Sequence, residues 1–115
     1  MISDKLFGYL GFAAKARKLS AGYNTCLMLV EKKKIRLLII AEDTAEGSID
    51  KLTRKCRAVH TDYRIFGTRE ELSKITGRQG NSIYAVTDNN FARVIRDEID
   101  RIQAEGEVLN DKKGI

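Results

Sequence analysis

The chain contains no proline. Its turns must therefore rest on Gly, Asn, Asp and Ser, which reach turn geometry through small size or local hydrogen bonds. It has one histidine, His60, and two cysteines, Cys26 and Cys56, 30 residues apart. There is no CxxC pair, so no metal site is expected. Each cysteine falls in an apolar helical pattern and reads as a buried free thiol. A disulfide is not expected in a cytosolic chain. His60 reads as a solvated residue near a helix end. No run approaches the roughly 18 apolar residues of a membrane-spanning helix, so no membrane partner is expected. The opening "MISDKLFGYLGFAAKARK" is apolar in part, but Asp4 and a helical rhythm set it apart from a signal peptide. The expected compartment is the cytoplasm.

Chemistry-bearing motifs are also missing. There is no GxxxxGK[ST], GxGxxG or GxSxG, and no cofactor is expected. The stretch "GRQGN", 77–81, has two glycines and an arginine but lacks the lysine and the length of a phosphate loop. Glu42 and Asp43, with Glu46 nearby, are the best acidic cluster, placed where α/β folds often hold ligands. No base or nucleophile accompanies them, and helix capping explains them equally well. The reading is of a protein without catalytic residues; an enzyme using Glu42 and Asp43 requires a polar cleft around them.

What is present is positive charge in one place. The 115 residues, 43% hydrophobic and 32% charged, suit one domain with one core. Residues 1–37 carry eight Lys/Arg against Asp4 and Glu31, a net of +6, whereas residues 38–115 carry a net of −1. A basic first third is the footprint of one anion-binding face. The plainer account is that cations decorate helix ends.

Periodicity predicts a helix over 4–16 with the stripe Leu6, Phe7, Leu10 and Ala14. A short extended piece, 18–20, leads to a second helix over 22–34. "IRLLIIA", 35–41, is a continuous apolar run of strand length, read as covered on both faces. Ser48 is expected to cap a third helix with the stripe Ile49, Leu52, Cys56 and Val59. Strands follow at 63–67 and 82–88. Between them Thr68 caps a short helix, with Glu70 and Glu71 in its first turn and Gly77 at its end. Asp88 or Asn89 opens the last helix, striped by Phe91, Val94, Ile95, Ile99 and Ile102. Helices alternating with short covered strands argue α/β class, a three-layer α/β/α sandwich. One domain is expected over 1–104, and a disordered tail over 105–115.

The order "G-x-N" at a helix start, "IRLLIIAED", "KLTRKC", "YRIFGTREELSKITG" and "SIYAVTD" resembles the kink-turn RNA-binding ribosomal protein family, of the L-seven-Ae and L-thirty-e type. Small bacterial YlxQ-like members are nearest in character, and the resemblance spans roughly 4–103. It implies a mixed four-stranded sheet and RNA binding by a non-enzymatic protein. Family members insert the start of their second helix into a sharply kinked duplex with tandem sheared G·A pairs. Their pattern there is Gly-Thr-Asn-Glu-x-x-Lys. Gly22 and Asn24 match it. Gly22 lets backbone approach RNA closely, and the Asn24 amide both donates and accepts. Thr25 replaces the glutamate and Met28 the lysine. Each lost base contact costs about 1–3 kcal/mol, so together they weaken binding by about 100-fold or more.

The resemblance also assigns RNA contacts to Ile49, to Arg69 at the fourth helix start, and to Arg78, Gln79 and Gly80, with Asn81 beside them, over a flipped-out nucleotide. Ile49 equally suits the core, Arg69 solubility, and 77–81 a plain connection. Lys15, Arg17 and Lys18 lead toward Gly22 and are expected to meet phosphates. Lys32, Lys33, Lys34 and Arg36 lie about 15–18 Å away at the far end of the second helix. The expected partner is structured RNA, ribosomal in class. The rival is a protein-interaction module, in which Met28 and Leu29, outside the Tyr23/Cys26/Leu27/Val30 stripe, dock a partner or form a weak homodimer.

Overall fold

Leu37–Ile40 forms a strand whose four residues are all fully buried. Its side chains alternate between two cores, as strand geometry requires. Leu37 and Ile39 join Leu6, Leu10, Leu72, Ile95 and Ile99 on one face. Leu38 and Ile40 join Cys26, Val30, Leu52 and Cys56 on the other. The computed structural model describes residues 2–113, with side-chain surroundings through residue 106. The order is α1 (Asp4–Lys15), β1 (Leu19–Ala21), α2 (Tyr23–Glu31), β2 (Leu37–Ile40), α3 (Glu46–Ala58), β3 (Tyr63–Ile65), α4 (Arg69–Thr76), β4 (Ile83–Val86) and α5 (Asn89–Lys113).

The sheet runs β1-β4-β2-β3. β2 and β3 are parallel, and β4 is antiparallel to both β1 and β2. The architecture is the expected three-layer sandwich on a mixed four-stranded sheet. The layer of α1, α4 and α5 covers one face and that of α2 and α3 the other. β1, β2 and β3 point the same way. α2, α3 and α4, which follow them, therefore start at one end of the sheet, here the cavity end. The loop entering β4 lies there too. α1, α2 and α3, which lead into β1, β2 and β3, finish at the opposite end.

Several expectations shift. The buried face of α1 is Leu6, Leu10 and Ala13, while Phe7 is 58% and Phe12 63% exposed. One residue rotates a helical side chain by about 100°, enough to move Phe7 outside. α3 begins at Glu46 after Ala45, with no side-chain cap. Ala45 O already accepts from Ser48 N and Ile49 N at 3.0 Å, so Ser48 lies inside the helix rather than at its cap. α2 stops at Glu31 because Lys33 adopts φ 57°. Lys33 N donates to Val30 O and Lys34 N to Leu29 O, both at 2.9 Å, the hydrogen-bond pair of a Schellman stop. α5 runs from Asn89 to Lys113, and residues 114–115 of the expected 105–115 tail lie outside the described residues.

Other caps stand as read. Thr68 and Glu71 form a reciprocal capping box, and Gly77 ends α4 in the left-handed region. Asp88 Oδ2 accepts from Phe91 N at 2.9 Å at the head of α5. No helix among the described residues is long and apolar enough to cross a membrane.

Two buried polar features tie elements together. Glu98 is only 7% exposed. Its Oε2 accepts from Arg101 and from Ser3 Oγ, both at 2.6 Å, and Ser3 Oγ also caps α1 by accepting from Leu6 N. Arg101 first, and Ser3 second, hold the Glu98 carboxyl down at about 2. In the second core, burial pushes the Cys26 thiol up to about 12 and the Cys56 thiol up to about 11.

Because the folded value of Glu98 lies below its unfolded value, its contribution to stability is present above the ordinary carboxylate range. It is lost as pH falls toward about 2. Glu98→Gln should lower the unfolding free energy at neutral pH and flatten its acid limb, measured by urea unfolding across that range. Both thiols should react with a soluble aromatic disulfide at least about 100-fold more slowly than free cysteine until the protein unfolds. Prompt labelling of the native protein would contradict that burial.

Candidate functional site

At the cavity end, α2 starts from Gly22, whose φ of 105° disfavours any side chain. A Cβ there would reach ordinary contact distance, 3.5 Å, from Asn81 Oδ1, so the constraint is the backbone angle and not space. Gly22 N donates to Ile83 O at 3.0 Å, pinning the α2 start to β4. α2 has no side-chain cap and no acid in its first turn. The first N–H groups of a helix lack helical partners and carry partial positive charge, so this terminus favours an anionic group. Asn24 and Thr25 are exposed on that first turn. Met28, a turn further on, is 44% exposed.

The other two helix starts come close by. Asp43 Oδ1 accepts from Arg69 N at 2.9 Å, tying the loop before α3 to the first residue of α4. Tyr23 from α2, Thr44, Ala45 and Ser48 from the start of α3, Arg69 from α4, and Gly80 through Ile83 then enclose a cavity of about 320 Å³. A second hollow, about 380 Å³, is lined by Asp43, Arg69, Glu70, Ser73, Lys74, Gln79 and Gly80. Arg69 and Gly80 line both. Thr44 Oγ1, on a residue only 9% exposed, has no hydrogen-bond partner among the described residues.

The 77–81 loop is braced from below. The buried Tyr84 hydroxyl donates to Asn81 O at 2.9 Å, with Arg78 O at 3.3 Å. Ser73 Oγ donates to the same Asn81 carbonyl at 3.2 Å. Arg78 N donates to Thr76 Oγ1 at 3.3 Å. Arg78, Gln79 and Gly80 are left exposed on this support.

The structure thus gathers Gly22, Asn24, Thr25, Arg69, Arg78, Gln79 and Gly80 at one end. Ile49 sits just inside α3 and packs half-buried against the second core. Lys15, Arg17 and Lys18 are elsewhere. β1 separates them from Gly22, and Lys18 O accepts from Thr87 N at the opposite end of the sheet. Four residues of extended chain put Lys18 about 13 Å from Gly22. Leu29, expected beside Met28 on an exposed patch, packs against the second core instead. Glu42 and Asp43 are both exposed, and Asp43 is engaged in capping α4.

Tyr23, Thr44, Ala45 and Ser48 line the cavity without having been singled out for it. Asn81, named with the 77–81 loop from the resemblance, lines it too. Thr44 carried no signal, since a threonine in a turn gives no hint that its hydroxyl will be buried.

The chain matches a model of the ribosomal protein L7Ae/L30e/S12e/Gadd45 family over residues 4–96. It is 29% identical over 86 residues to the RNA-binding protein YlxQ of Bacillus subtilis (strain 168), covering 75% of this chain and 86% of that protein. A solved structure of a Bacillus halodurans protein of unknown function superposes with a TM-score of 0.82 at 28% identity, covering 85% of this chain and 99% of that one. The Giardia lamblia 15.5kD RNA binding protein shares the fold, with a TM-score of 0.70 at 18% identity over 87% of this chain and 86% of its own. With the family model spanning most of its length, and the mixed sheet and helix order in agreement, this chain belongs to the ribosomal protein L7Ae/L30e/S12e/Gadd45 family.

Proposed function

We propose that this chain is a non-catalytic RNA-binding protein of the cytoplasm that contacts structured RNA, ribosomal in class, through the α2 start and the 77–81 loop. The observation that carries the reading is the convergence of three helix starts and a braced loop around one cavity, with Arg69 at its rim. The RNA-binding names of the Bacillus subtilis and Giardia relatives support it.

In this reading a phosphate rests against the uncapped α2 terminus, where Gly22 admits close backbone approach. The Asn24 amide meets a base edge. The cavity receives one extruded base, with Arg69, Arg78 and Gln79 against the flanking backbone. Ile49 supplies apolar contact at its edge. Thr25 and Met28 offer neither the carboxylate nor the ammonium of the family pattern, so kink recognition depends more on Asn24 and the loop. Lys15, Arg17 and Lys18 take no part in this site.

Asn24→Ala should weaken binding to a kinked duplex with tandem G·A pairs by about 10–100-fold, about 1–3 kcal/mol, without changing thermal unfolding. Met28→Lys should strengthen it. Equal weak affinity for kinked and unkinked duplexes, unmoved by Asn24→Ala, would sink the proposed site. Thr44→Val replaces a buried unpartnered hydroxyl with a methyl and should stabilise the free protein by about 1 kcal/mol. A lower melting temperature would mean that the hydroxyl has a native partner.

A further inference from the structure

The end of the sheet opposite the cavity concentrates positive charge. Lys15, Arg17 and Lys18 stand where α1 finishes. Lys32, Lys33, Lys34 and Arg36 stand where α2 finishes. The two groups are neighbours. Lys18 O accepts from Thr87 N, and Arg36 N donates to Val86 O at 2.8 Å, so they flank the end of β4 from either side. Two strand spacings, about 9–10 Å, separate Lys18 from Arg36. All seven side chains are on exposed residues, and none forms an ion pair among the described residues.

The nearby acids are engaged with other partners. Glu31 pairs with Lys55 at 3.4 Å, Asp62 with Arg96 at 3.0 Å, and Asp88 caps α5. Elsewhere five cations have acidic partners: Lys55 with Glu31, Arg64 with Asp100, Arg96 with Asp62 and Asp97, Arg101 with Glu98 and Glu105, and Lys74 with Glu70. Lys5, Lys51, Arg54, Arg57, Arg69, Arg78 and Arg93 form no ion pair among the described residues. What sets the seven apart is that they lie together at one end. Helix dipoles do not absorb the excess. Each helix C-terminus presents about half a negative charge, so the two that finish beside these residues account for about one charge of the seven.

Backbone geometry points the same way. Among the described residues, the three non-glycine residues with positive φ are Arg17 at 60°, Lys33 at 57° and His60 at 58°. They follow the ends of α1, α2 and α3, all at this end. Glycine is the usual residue there, and an L side chain costs about 1–2 kcal/mol in that conformation. At the cavity end, where the same conformation closes α4, the residue is Gly77. Strain retained for basic side chains at one end only is a pointer to function.

We propose that this end is a second RNA surface, taking the phosphate backbone of an RNA segment other than the one at the cavity. RNA as the occupant rests on the function proposed above; the surface itself rests on the unpaired charge. The protein then holds two RNA segments at opposite ends of one sheet.

The test uses the full chain, the kinked duplex above, an unkinked RNA duplex and phosphatidylserine vesicles. The combined variant Lys15→Gln, Lys18→Gln, Lys34→Gln and Arg36→Gln is compared with Asn24→Ala and the unaltered protein over a salt series. For the unkinked duplex, the fourfold variant should lower the slope of log affinity against log salt by about 3, near 0.7–0.9 per phosphate contact. Affinity should fall at least about tenfold, with thermal unfolding and the preference for kinked RNA retained. Asn24→Ala should reduce that preference and leave the unkinked slope alone. An unchanged slope in the fourfold variant overturns the second surface, and loss of vesicle binding beside an unchanged RNA slope assigns it to lipid instead. If Asn24→Ala has no effect while the fourfold variant removes binding, the cavity site falls and the second surface stands. Absence of RNA binding by the unaltered protein overturns both.

Discussion

Three strands point one way and one points back. From that directional constraint the rest of the molecule follows. β4 lies between β1 and β2 and runs against both. Any helix that follows β1, β2 or β3 must therefore start at the same end, and any helix leading into them must finish at the other. Helix starts are positive and helix ends negative. The sheet thus places the starts of α2, α3 and α4 at one pole and the ends of α1, α2 and α3 at the other, before any charged side chain is considered. α4, which closes at Gly77, and α5, which follows β4, are the exceptions.

Both poles then use what the chain has in place of proline. At the cavity end, Gly22 turns directly from strand to helix, Gly77 closes α4, and Asp43 and Thr68 satisfy the exposed N–H groups of α4. At the other end the turns are made by residues that bring charge with them. The two cores that separate the poles are ordinary by comparison. β2 divides its side chains between them, and the buried thiols of Cys26 and Cys56 serve one of them as small apolar groups.

Legibility followed the length of the signal. α5 and α3 repeat their stripes over several turns, and β2 is an unbroken apolar run; the existence and inward faces of all three could be read, though not every end. Thr68 and Glu71 announced α4 through a local pattern that needs no tertiary context. What escaped depended on registration or distance. Phe7 sits one position off its stripe. Ser48 has a capping side chain, but the turn through Ala41 and Thr44 brings the chain into a helix earlier. Lys33 ends α2 with a residue that carries no stop signal in sequence. Adjacency along the chain also misled. Lys18 and Gly22 are four residues apart, yet those residues form a strand, the structure that best keeps its ends apart. The resemblance supplied Arg69, Gly80 and Asn81, but not Tyr23 or Thr44, and the enclosure itself could not be read because its lining comes from four separated segments.

Tyr84 sits at 1% exposure under the 77–81 loop and hydrogen-bonds its carbonyls from below. A loop held this way has already given up its conformational freedom during folding. Association then incurs no further ordering cost for that segment. For the RNA contact proposed at this loop, the encounter would be limited by orientation and by the long-range attraction of basic residues for a polyanion, with no search through loop conformations. A buried tyrosine beneath the proposed contact loop would thereby favour fast, lock-and-key capture.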